Sequence, residues 1–327
     1  MMEPVRLVSR INLALLGMAL LVCAIPVPAT QDPWFKYENS HFVAYSDAAE
    51  SKVMALMDNL ERFRGAVLQV SNIKIPQSAP KTLVVITRDR STFSRLTPHR
   101  NTAGFAISDG TQTLIVLPAF GSTSWTHSVI RHEYGHALLR FMEFSYPTWY
   151  EEGFAEMVSA TEFKNSGQEF TLGHTPERAM RPGNLSYNWD TLVSDDFEPH
   201  TIESRQQASS AYFQAWLLAH YTTLGDSGKN AQKLQLYFTF LKNGDKSETA
   251  FQNAFGKSAS ELWKSELKSY TKRVPNYVIR FNPGMLDTNF TRTSAPTTEI
   301  EPIINSLEAS SMESNQDNVV PIMTITR

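Results

Sequence analysis

His132-Glu133-Tyr134-Gly135-His136 is the stretch of this 327-residue chain that decides how the rest is read. On an α-helix, positions i and i+4 share a face, so both imidazoles can reach one metal ion. A Zn²⁺ ion takes histidine nitrogen at ~2.0–2.1 Å and, in a catalytic site, keeps one position open for water. Glu133 stands beside that position, where a carboxylate acts as general base towards a water whose pKa the metal has lowered. Val129, Ile130, Ala137, Leu138 and Phe141 flank the motif and place it on an apolar helix of about 124–143. Two imidazoles and a carboxylate inside such a helix are costly unless something pairs with them.

The pentapeptide supplies two ligands, and a third has to come from elsewhere. A continuation through glycine and a third histidine fails, because Leu139 and Met142 occupy those positions. The next helical segment, Pro147-Thr148-Trp149-Tyr150-Glu151-Glu152-Gly153-Phe154-Ala155-Glu156, offers three carboxylates. Thr148 and Glu151 fit a capping box, which gives Glu151 a structural task at the helix start. Glu152 and Glu156 then fall on one face at i and i+4. Glu152 is assigned as third ligand. Glu156 is the carboxylate that accepts from a ligand imidazole N–H and fixes its tautomer.

HEYGH followed by WYEEGFAE resembles the gluzincin metallopeptidases, in particular the HExxH…WxxEGxAE subset with a peptidase-MA-like domain found in bacterial envelopes. It is also similar to aminopeptidases bearing a WLNEGFA-type segment. The resemblance extends over about 34–272, through His41–Ser46, Leu172-Gly173 and Ala211–Trp216. It implies a zincin-like fold, with Zn²⁺ held by His132, His136 and Glu152 and a peptide or protein as substrate. It also implies a tyrosine or histidine from the later helices as donor to the oxyanion, for which Tyr212 is the candidate. The strand before the zinc helix, Thr113–Leu117, is the candidate edge for pairing with an extended peptide.

Outward from the motif, the chain reads as α+β. A strand at His41–Ser46, a helix from Asp47 as N-cap to about Val70, and a buried strand at Thr82–Thr87 precede the zinc helix. A hairpin of Ala103–Ile107 with Thr113–Leu117 turns at Asp109-Gly110. Helices follow at about 209–224, 230–242, 248–255 and 259–271, after a loop over 164–200 long enough to cover a site. The expected organisation is a small mixed sheet with the zinc helix in 30–143, a mainly helical part in 144–282, and the zinc cleft between them. His220 reads as a surface residue, and His174 and His200 as loop residues.

Hydrophobic residues make up 42% and charged residues 19%, which is the balance of a globular chain with a core. A net charge of −3 leaves no basic face for nucleic acid, and one cysteine excludes a disulfide framework. Residues 1–29 read as a signal peptide cut after Ala29, taking Cys23 with it and directing the protein to the periplasm or medium. Left uncut, that segment is an anchor and the only expected membrane contact. Residues 283–327, rich in Ser, Thr, Asn, Glu and Pro with Phe290 as sole aromatic, read as a disordered tail. Two rival functions use the same residues: an exported zinc-binding scaffold without catalysis, and a zinc hydrolase of an ester or cell-wall amide.

Overall fold

Strand β1 (Phe35–Glu38) turns into β2 (Phe42–Ser46), and helix α1 (Glu50–Val70) leads on to β3 (Thr82–Thr87). The structure is a computed structural model and describes residues 33–97, 104–108, 112–120, 123–142, 144–176 and 185–316. The expected signal segment at 1–29 lies outside the described residues, as does the turn at 109–111. Helix α2 (Arg90–Leu96), the hairpin β4 (Phe105–Ser108) and β5 (Thr113–Pro118), and α3 (Thr123–Leu139) follow. Thr82-Leu-Val-Val-Ile-Thr87 becomes the middle of the sheet because a run of branched apolar residues can be buried on both faces. It pairs in parallel with β2 on one side and β5 on the other.

Next come α4 (Thr148–Ser159), β6 (Glu162–Lys164), β7 (Glu169–Leu172), α5 (Trp189–Leu192) and α6 (Arg205–Thr223). Helices α7 (Ala231–Lys242), α8 (Ser247–Phe255) and α9 (Ala259–Leu262) precede a π turn and α10 (Lys268–Tyr270). Then β8 (Tyr277–Arg280), β9 (Thr291–Ser294) and α11 (Thr297–Gln316) complete the described chain. The fold is therefore mixed α+β, with one mixed six-stranded sheet in the order β4-β5-β3-β2-β1-β9 and a small antiparallel sheet β6-β7-β8. From Trp34 onward the described residues form a single compact unit. No helix among them is long and apolar enough to cross a membrane.

Alternation along the strands divides the large sheet into two buried faces. Phe42, Ala44, Val84, Ile86, Ile115 and Leu117 pack on the side of α1 and α3, in the main core. Val43, Tyr45, Val85 and Val116 point the other way, and α2 and α11 cover them. This second cover overturns the reading of 283–327 as a disordered tail, at least as far as 316. Ile300, Ile303, Ile304 and Leu307 recur at i, i+3, i+4 and i+7 and lie against the sheet. Full burial of such a side chain contributes about 1.5–3 kcal/mol. The segment before α11 is also fixed: Asp287 N–H donates to the fully buried carboxylate of Glu61, 3.0 Å, and its own carboxylate accepts from Ser40 N–H at 2.8 Å.

Other expectations change in detail. Helix α1 starts at Glu50 with Ala49 before it, and Asp47 does not cap it. Its Oδ1 instead accepts from Arg88 N–H at 2.7 Å, tying the end of β2 to the end of β3. The expected edge strand β5 lies inside the sheet, and β4 is the edge on that side. The loop over 164–200 is partly folded into the β6–β7 hairpin and α5, while 177–184 lie outside the described residues. His220 is fully buried on α6, its Nδ1 2.8 Å from the Tyr270 hydroxyl, so it is no surface residue.

Candidate metal centre

Two close helix crossings build the site. Gly135 in α3 meets Ala155 in α4, and a Cβ at position 135 would lie 3.2 Å from the Ala155 Cα. Gly153 in α4 meets α6 more tightly still: a Cβ there would come within 2.3 Å of the Ala215 carbonyl oxygen. Glycine in a helix interior costs about 1 kcal/mol relative to alanine. Here it lets three helices stack with the histidines of α3 and the glutamates of α4 facing one another.

Further anchors hold these helices in place. Tyr134, in the middle of the motif, turns away from the histidines and packs between Phe42 and Phe63, with ring centroids 5.4 and 6.3 Å away. Arg131 donates to Asn59 Oδ1 at 3.0 Å and to the Thr161 carbonyl, joining α3 to α1 and to the end of α4. Burial lowers the Arg131 pKa to about 10. Trp149 Nε1–H donates to the Tyr237 hydroxyl at 3.0 Å, and that hydroxyl meets Ser247 Oγ at 2.6 Å. Helix α4 is thereby tied at its start to α7 and α8.

His132 Nε2 and His136 Nε2 are 3.2 Å apart, and each lies 3.5 Å from Glu152 Oε2. These spacings match the edge of a tetrahedron around an ion with ~2.0–2.1 Å bonds, which is ~3.3–3.4 Å. All three residues are buried. His132 Nδ1 lies 3.2 Å from Glu156 Oε1, and Glu156 is 1% exposed. A proton held on Nδ1, the ring nitrogen nearest that carboxylate, would leave Nε2 with its lone pair towards the centre of the cluster. Two imidazole nitrogens and a carboxylate oxygen converging away from water constitute a site that can hold a metal ion. Burial alone would raise the Glu152 carboxyl pKa, but the two imidazoles hold it well below the usual carboxylate range.

Glu133 is buried beside the cluster in sequence, and its Oε2 has no hydrogen-bond partner among the described residues. The expected capping box is absent, since Thr148 lies inside α4 and no side chain caps the helix. Glu151 is instead partly buried; burial raises its pKa, the neighbouring His136 offsets part of that, and Arg140 acts in the same sense as His136. Tyr212 is half-buried on α6, the helix that α4 crosses at Gly153. His174 pairs loosely with Glu162 at 3.7 Å, and His200 with Glu198 at 3.8 Å.

Arg131, Gly135 and Gly153 were not singled out from the sequence. The two glycines carry a legible signal: each interrupts an otherwise good helix next to a ligand, where only close packing repays its cost. Replacing Glu156 by glutamine is expected to weaken metal binding by ~10–100-fold, as loss of a carboxylate behind a ligand histidine does. Competition with a chromogenic chelator measures this, and unchanged affinity would show that Glu156 does not orient His132. Compared with known proteins, the chain matches no protein-family model and no curated protein.

Proposed function

We propose that the protein is a zinc-dependent peptidase on a zincin-like fold, acting outside the cytoplasm. The observation that carries this reading is the buried His132/His136/Glu152 cluster, with the buried carboxylate of Glu133 next in sequence to one of its members. Two imidazoles and one carboxylate are a donor set that zinc accepts in catalytic sites, with a fourth position left for water. Bound there, zinc would supply Lewis acidity and lower the pKa of a water molecule.

The chain's own residues do the rest. Glu156 holds the His132 ring in one tautomer, so that His132 Nε2, His136 Nε2 and Glu152 Oε2 stay aimed at a common point. Glu133 Oε2, which has no competing hydrogen-bond partner among the described residues, takes the proton of the attacking water and returns it to the departing amine. Tyr212 is the candidate donor to the oxygen that gains charge at the scissile carbonyl. An extended peptide is offered the outer edge of β4, next to α3, by strand addition. Export follows from the basic and apolar segment in residues 1–29.

The test uses the full chain, because β9 and α11 belong to the fold. An unstructured peptide library is incubated with zinc-loaded protein, with chelated protein and with protein reloaded with zinc, and the products are read by mass spectrometry. Cleavage that vanishes on chelation and returns with zinc is the expected result. No cleavage with zinc bound would favour an ester or cell-wall amide as substrate, or a scaffold without catalysis.

A further inference from the structure

A cavity of about 800 Å³ opens where the C-terminal end of α3 meets α7. Its wall is aromatic. Phe144, Tyr146 and Phe238 surround one another with centroid separations of 4.8–5.6 Å, and Tyr146 also stacks against Tyr150 of α4 at 5.0 Å. Lys74, Arg140 and Lys242 line the cavity, and among the described residues no acidic side chain does. None of these three cations makes an ion pair within 4 Å among the described residues, although Glu151 lies near enough to Arg140 to act on it electrostatically. Arg140 follows His136 by four residues and stands directly after Leu139, the last residue of α3. The cavity thus opens just past the end of the helix that carries His132 and His136, and its volume falls in the ~300–1,000 Å³ range of ligand sites.

We propose that this cavity is the specificity pocket of the enzyme and that it binds a substrate carboxylate next to an aromatic or other apolar side chain. The inference rests on the peptidase reading for its placement beside a reaction centre, while binding itself can be measured without turnover. Three cations beside an aromatic wall, with no ion pair within 4 Å among the described residues, suit such a group on two counts. Each cation gains a charge-assisted hydrogen bond, and the rings cover the apolar portion of the ligand. A carboxylate can come from an Asp or Glu side chain or from a free peptide C-terminus. Both present the same chemistry to Lys242, Lys74 and Arg140.

The experiment compares otherwise identical peptides carrying Phe-Glu or Phe-Gln, each with a free or an amidated C-terminus. Cleavage by the full zinc-loaded chain is followed by mass spectrometry. Binding of N-acetylphenylalanine, its amide, and N-acetylphenylalanylglutamate α-amide, which keeps only the side-chain carboxylate, is followed by calorimetry. The expected result is at least about a tenfold preference for carboxylate-bearing ligands, one charge-assisted contact being worth about that factor. The double variant Lys74→Gln/Lys242→Gln should erase the preference with the melting temperature kept, since both side chains are exposed. Preference confined to the free C-terminus identifies that carboxylate as the source, and preference for Glu in an amidated peptide identifies the side chain. Equal cleavage and equal binding of acidic and neutral ligands would overturn the proposal while leaving the peptidase standing. Lysine-dependent binding of the acids without any cleavage would uphold the pocket and sink the peptidase.

Discussion

Glu133→Gln is expected to lower kcat on any cleaved peptide by about 10²- to 10⁴-fold, the usual share of a positioned general base. Metal content and melting temperature should hardly change. The substitution keeps the size of the side chain and its ability to accept a hydrogen bond, and removes only the capacity to take a proton. Because Glu133 Oε2 has no hydrogen-bond partner among the described residues, no internal contact is broken by the exchange. KM should move much less than kcat, since in the proposed role the carboxylate would act on the proton transfer rather than on ground-state binding. Steady-state kinetics with metal analysis on the same preparation tests this. Turnover retained within a few fold would remove Glu133 from the mechanism, and loss of metal together with turnover would make it a structural residue instead.

Gly153→Ala should be strongly damaging for so small a substitution. The new methyl group would sit 2.3 Å from the Ala215 carbonyl oxygen and 2.7 Å from the Ala219 Cβ. Neither neighbour can swing aside, because one is backbone and the other a methyl fixed to it, so α4 and α6 must separate. Overpacking of this kind typically costs about 1–3 kcal/mol. The gain in helix propensity returns only about 1 kcal/mol. Moving α4 also carries Glu152 and Glu156 away from the histidines, so weaker metal binding is expected alongside the lower melting temperature. Gly135→Ala serves as the graded comparison: its nearest contacts would be 3.1 and 3.2 Å, which a few tenths of an ångström of adjustment relieve. Equal effects at the two positions, or a stabilised Gly153→Ala, would show that the crossing does not set the site.

Local patterns explain most of what the sequence disclosed. The histidine pair, the two later glutamates and the helices around them depend on i, i+4 spacing, which needs no knowledge of the rest of the chain. Errors arose where a local rule met a non-local competitor. Asp47 has the chemistry of an N-cap, but its carboxylate is taken by the Arg88 amide from the neighbouring strand. Thr148 and Glu151 have the capping-box spacing, yet the helix starts at Thr148 itself, with Pro147 ahead of it. The order of strands, which places β4 rather than β5 at the edge, is likewise absent from any single segment. For α11 the fault lay in averaging: the polar composition of 283–327 hid the four apolar residues whose helical spacing covers one face of the sheet. The cation-lined cavity combines residues from 74, 140 and 242, and no window of sequence contains them together.

The pairing of β9 with β1 brings Thr291–Ser294 against Phe35–Glu38, a separation of more than 250 residues along the chain. A nascent polypeptide therefore emerges with its first strand long before the partner exists, and with one apolar sheet face open until α11 follows. Closing so long a loop is slow compared with local helix formation. During that interval the edge of β1 and the face carrying Val43 and Val85 are open to wrong partners. Completion of this sheet is thereby postponed until β9 and α11 have been synthesised.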